Sequence, residues 1–184
     1  SPAISFLLFI ITESTLPTEL FVMITISLIP LGIFLWLTLF TDLLYSNKQK
    51  PILIIFGIEG IIFDFFLFIY LFIDPSIIVT RVGVIDAEYK SFVLLYLISA
   101  LLISLITGPL FARESLRSDD PKLKLKGIFL LNAFIFFITG SLLDVLLPYD
   151  IITLLIYRTL LILSAIQFYF GFFLPSRLEK LYKP

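Results

Sequence analysis

Cysteine and histidine are both absent from this 184-residue chain, and methionine and tryptophan occur once each. Without cysteine there is no disulfide and no thiolate nucleophile. Without histidine as well, haem on a histidine ligand and zinc or copper sites built on these residues lose their usual donors. General acid–base chemistry would fall to carboxylates, lysine or tyrosine. Charge is also scarce: 15% of residues are charged and the net charge is −1, against about a quarter charged in soluble domains. That balance argues against a nucleic-acid partner. The two asparagines, Asn47 and Asn132, lie in no glycosylation sequon. A phosphate-binding loop, a GxSxG elbow and an HExxH helix are all missing. Every lysine sits in a connection, at a helix end or in the tail, so no span offers one to hold a retinal.

What the chain has is apolar length. Hydrophobic residues make up 60% of it, and they gather in five runs: Leu20–Tyr45, Ile52–Ile73, Ser91–Phe111, Gly127–Leu147 and Ile151–Leu174. A helix crosses the hydrocarbon core with about 20 residues, so each run is long enough alone. The expected fold is all-α: a polytopic transmembrane helical bundle of five full spans, forming one integral membrane domain over residues 1–184. Ala3–Ile11 is apolar but too short to span, and Ser1-Pro2 lacks the basic start of a signal peptide. Three readings stand for it: a truncated transmembrane helix, an interfacial segment or part of an uncleaved leader. The truncated helix is preferred, as a partial sixth span.

Basic residues alternate between connections. Lys48 and Lys50, then Arg113, Arg117, Lys122, Lys124 and Lys126, then Arg177, Lys180 and Lys183 fall on one side, ten in all, against Arg81 and Lys90 on the other. The positive-inside rule places Ser46–Pro51, Ala112–Lys126 and the C-terminus in the cytoplasm, with residues 13–19 outside. Pro30 is expected to bend the first span and Gly108-Pro109 to break the cytoplasmic end of the third, because proline removes a backbone hydrogen bond. Pro148 lies in a short connection, so the last two spans should form a tight hairpin. In the outer loop Asp74–Lys90, Ile77–Val79 and Val82–Ile85 are expected to pair as a short hairpin or to lie at the interface.

Ionisable groups at membrane depth are costly, and each therefore raises a functional hypothesis. With a rise of about 1.5 Å per residue, Asp144 lies about 5 Å, Arg158 about 10 Å and Asp64 about 14 Å below the outer boundary. An Asp144–Arg158 ion pair is expected, with Asp64 as a competing or third partner. The pair could simply hold the hairpin in register, or Arg158 could exchange between the two acids when something binds. Glu59, Asn132 and Gln167 form a second polar layer about 8–11 Å from the inner boundary. Asn132, Phe136, Gly140 and Asp144 recur every fourth residue beside Ala133 and Ser141, a stripe that suits close helix contact. Gly57-x-x-Gly60 suggests the same in the second span.

The cytoplasmic connection reads Ser115-Leu-Arg-Ser-Asp-Asp-Pro-Lys-Leu-Lys-Leu-Lys-Gly127. The last helix closes on Phe168-Tyr-Phe-Gly-Phe-Phe-Leu-Pro-Ser-Arg-Leu-Glu-Lys-Leu-Tyr182. Over residues 115–182 this resembles the end of the seven-helix membrane sensor regions that precede histidine-kinase or other signalling modules in archaea and bacteria. The resemblance implies a non-enzymatic sensor-like or receptor-like protein that passes a signal to its cytoplasmic loop and tail. The alternatives are a structural or accessory subunit of a larger membrane complex and, third, a small transporter. No cofactor or metal site is expected. The expected partners are the lipid bilayer and either other membrane subunits or further copies of the chain, with the ligand unspecified.

Overall fold

A computed structural model describes residues 10–11, 16–82, 86–146 and 150–175. Most of the stub Ala3–Ile11 lies outside the described residues, as do Pro148 and the basic tail residues Arg177, Lys180 and Lys183. The fold is all-α apart from one small two-stranded sheet. Five helical stretches are long and apolar enough to cross a membrane: Thr18–Leu44, Ser46–Ile73, Ser91–Leu116, Pro121–Val145 and Ile152–Phe173. This is the profile of a multi-pass membrane protein. The chain divides into two compact units, Ser1–Ala100 and Leu101–Pro184.

In the first unit, helix α1 (Thr18–Ile26) and helix α2 (Ile29–Leu44) share the first span and are separated by Ser27 and Leu28. The interruption coincides with Pro30, in the first turn of α2, where its missing N–H costs least. Thr25 and Ser27 turn their hydroxyls back onto the carbonyls of Phe21 and Met23, an arrangement that bends helices. A 3₁₀ turn over Ser46–Lys48 leads into helix α3 (Gln49–Ile73). Gly60 of α3 faces Pro30, where an added Cβ would come within 3.0 Å of the proline ring, and Gly57 faces the Phe34 ring. The Gly57/Gly60 face is thus a contact between α2 and α3.

After a 3₁₀ turn at Pro75–Ile77, strands β1 (Val79–Val82) and β2 (Asp86–Tyr89) pair antiparallel, with Val79 opposite Tyr89 and Arg81 opposite Ala87. The loop after α3 forms a hairpin, with Val79 and Val82, one from each of the two segments expected to pair, both in β1. Ile78 and Val79 are buried with Phe21, Val22, Phe63, Leu67, Leu71 and Val93. From that anchored end β1, which ends at Val82, pairs with Asp86–Tyr89, and residues 83–85 lie outside the described residues. Helix α4 (Ser91–Leu116) starts at Ser91, whose φ of 51° is left-handed. Its hydroxyl donates to the Ile77 carbonyl at 2.9 Å, which offsets the strain of that start.

In the second unit, the later part of α4 packs with helix α5 (Pro121–Leu146) and helix α6 (Ile151–Phe173). Gly108-Pro109 does not break α4, which runs on to Leu116 with Pro109 inside it. Proline deletes one hydrogen bond and leaves the rest of the ladder intact, and Gly108 lets the Phe134 ring lie on the backbone. The cytoplasmic connection expected over Ala112–Lys126 is correspondingly short. α5 begins at Pro121, six residues before its apolar run, with Asp120 accepting the Lys122 N–H at 2.8 Å. Hydrocarbon thickness sets the length of an apolar run, whereas capping sets where the helix ends.

A Cβ at Gly108 would stand 2.3 Å from Phe134, but one at Gly32 meets nothing within 4 Å. Gly108→Ala should therefore cost about 1–3 kcal/mol in reversible unfolding from mixed micelles. Gly32→Ala should be neutral or stabilising by up to about 1 kcal/mol. Equal effects at the two sites would show that the ring contact does not limit packing.

Candidate functional site

The α5–α6 hairpin carries the membrane-embedded charges of the second unit. Arg158 Nη2 lies 3.9 Å from Asp144 Oδ1, with the two side chains 28% and 33% exposed. At that spacing the attraction is coulombic, since a hydrogen bond needs a donor and acceptor within about 3.2 Å. The guanidinium carbon also lies 5.2 Å from the Tyr157 ring. α6 is capped at its start by Asp150, which accepts the Ile152 N–H at 3.1 Å. Asp64, the expected third partner, belongs to the first unit.

Toward the other end of the hairpin the backbones come close. Gly140 faces Leu160 and Leu161, Ser164 donates to the Ala133 carbonyl at 2.9 Å, and Gly171 faces Leu130. Lys126 Nζ then donates to the Phe172 carbonyl at 3.0 Å. Carbonyls in the last turn of a helix have no intrahelical donor and carry the negative end of its dipole, so a lysine there serves as a cap.

The every-fourth stripe on α5 does not act as one face. Each step of four residues advances about 40° beyond a full turn, so Asn132 and Asp144 stand about 120° apart. Gly140 and Asp144 accordingly meet α6, Ala133 is buried, and Asn132 is exposed. Of the second polar layer, Glu59 belongs to the first unit, and in the second, among the described residues, the side chains of Asn132 and Gln167 make no hydrogen bond.

Two arrangements in the first unit had no place in the sequence expectations. Strand pleating puts Arg81 on the same face of the hairpin as Val79, and its guanidinium lies 3.8 Å above the ring of Phe21, which is 1% exposed. Such a cation–π contact contributes about 0.5–2 kcal/mol. The signal available was the alternation Val79-Thr80-Arg81, which places a cation where an apolar residue is due. Tyr96 of α4 stacks on Phe63 at 3.9 Å, and its hydroxyl reaches toward Gly60, within electrostatic range of both Glu59 and Asp64. Asp64 Oδ1 is buried without a hydrogen-bond partner among the described residues. Nothing in the spacing of the eight tyrosines singled Tyr96 out. Among the described residues no acids gather in a group of three that could hold a metal ion.

Compared with known proteins, the chain matches no family model, no curated protein and no solved structure.

Arg158→Leu should destabilise the hairpin by about 1–3 kcal/mol, between the values for exposed and buried pairs, because Asp144 loses its counter-charge. Adding Asp144→Asn should restore most of that loss in a double-mutant cycle, and additive effects would show that the pair is not coupled. In the turn after α3, hydrogen bonds from the Ser76 hydroxyl and amide hold the Asp74 carboxyl below its ordinary value. A depressed carboxylate stabilises the turn above its unfolded-state value and loses that contribution as pH falls through its folded-state one. The Ser76 amide resonance should therefore stay in place through mildly acidic solution and move only below the ordinary carboxylate range.

Proposed function

We propose that this chain is a non-enzymatic, sensor-like membrane protein whose last hairpin relays a rearrangement near Asp144 and Arg158 to the opposite, cytoplasmic end. One observation supports the reading: α5 and α6 join a loosely spaced ion pair near one end to the Lys126–Phe172 cap near the other. At 3.9 Å this atom pair exceeds hydrogen-bond length and attracts coulombically, so a competing charge near it would redistribute that attraction. The close contacts at Gly140, Ala133 and Gly171 stiffen the hairpin between those points. The likeness of residues 115–182 to signalling sensor regions leads the same way. Ten basic residues on one side orient the hairpin with its Lys126 end and the C-terminus in the cytoplasm.

The test uses spin labels at Leu123 and Phe173, both exposed near the cytoplasmic ends of α5 and α6. Labelled protein is diluted with unlabelled protein in nanodiscs, so that only intramolecular distances count. Arg158→Gln should shift the distance distribution between the labels by about 2 Å, the scale of helix shifts in known switches. An unchanged distribution, with the variant folded, would remove the relay and leave an accessory subunit or a small transporter as the reading.

A further inference from the structure

Threonines in the interiors of these helices share one arrangement, and Thr139 departs from it. Thr25, Thr38, Thr41, Thr107 and Thr159 each donate to the carbonyl four residues earlier. Thr139 of α5 does not; it is exposed, and among the described residues it has no hydrogen-bond partner. Asn132, also exposed and also without such a partner, lies seven residues before it on the same helix. With Ile128, Ile135 and Leu142, all exposed, they follow alternating steps of four and three residues. That spacing keeps all five within about 80° of arc, on the side of α5 away from Ala133 and Gly140.

Exposed isoleucine and leucine say nothing in a membrane, because lipid tails solvate them as well as protein does. An amide and a hydroxyl about 10 Å apart along one lipid-facing stripe are different, since hydrocarbon offers them no hydrogen bond. We infer that this face of α5 is the contact between two copies of the chain, packed as parallel helices about a two-fold axis along the membrane normal. Every copy inserts in the same sense, so that axis sets Asn132 opposite Asn132 and Thr139 opposite Thr139 at equal depth. A carboxamide carries both donor and acceptor, so two of them satisfy each other across the axis, as two hydroxyls do. Alternation of four and three is the spacing of a left-handed helix pair, in which a single asparagine fixes register. The inference does not depend on what the protein senses.

The chain contains no cysteine, so single substitutions report contacts against a blank background. Ile128→Cys, Ile135→Cys and Leu142→Cys in purified protein reconstituted in liposomes should give disulfide-linked dimers on oxidation. Ile58→Cys on α3 and Ile162→Cys on α6, both more exposed, should not. Asn132→Ala in the Ile135→Cys background should lower the dimer fraction about three- to tenfold, and Asn132→Gln should recover part of it. Helical circular dichroism of each variant separates lost pairing from lost folding. Cross-linking without the four-and-three pattern, or unaffected by Asn132→Ala, would overturn the inference. So would a chain that stays monomeric in liposomes, which would assign the face to a different subunit.

Discussion

A hydroxyl, amide or carbonyl inside an apolar span has no water to turn to, so its hydrogen bonds must be made within the protein. That constraint runs through the whole chain. Most threonines meet it locally by bonding back to their own helix, and Ser164 meets it by reaching across to Ala133. Among the described residues Asn132 and Thr139 use neither solution, and the two share one outward face. The assembly proposed between chains rests on the same requirement that shapes each helix.

The cations answer a related demand in three ways. Lys126 donates to a helix-terminal carbonyl, Arg81 lies on an aromatic face, and Arg158 faces a carboxylate at a distance that keeps only the coulombic part. The strength of these solutions differs, and so does their reversibility. A lysine on a carbonyl is directional and short. The Arg158–Asp144 pair is longer, at 3.9 Å, and the proposed relay starts there.

Glycine sets how close the helices come. Gly60 admits Pro30, Gly108 admits Phe134, and Gly140 and Gly171 admit leucines of the neighbouring helix. Gly32 admits nothing and marks no contact, although in sequence it looks no different. Side-chain identity alone does not distinguish them, because the distinction lies in what stands opposite. The same holds for Arg81: only strand pairing shows that it shares a face with Val79 and covers Phe21.

Five spans, the all-helical class and the bend beside Pro30 were legible because they rest on local quantities: apolar run length and a missing N–H. Helix ends were less so, since α4 runs past its apolar stretch to Leu116 and α5 starts six residues before its own, at the Asp120 cap. The every-fourth stripe misled because periodicity of four drifts around a helix of 3.6 residues per turn. By itself, then, the sequence determined that the chain belongs in lipid, where its charges are rare, and that no cysteine or histidine chemistry is open to it. The Asp144–Arg158 pair was expected from depth along the two arms of the hairpin, whereas tertiary structure alone decided which strands pair, which glycines carry contacts, and that Asn132 faces outward. Those outcomes depend on which residue of a distant segment stands opposite, and no local pattern encodes that.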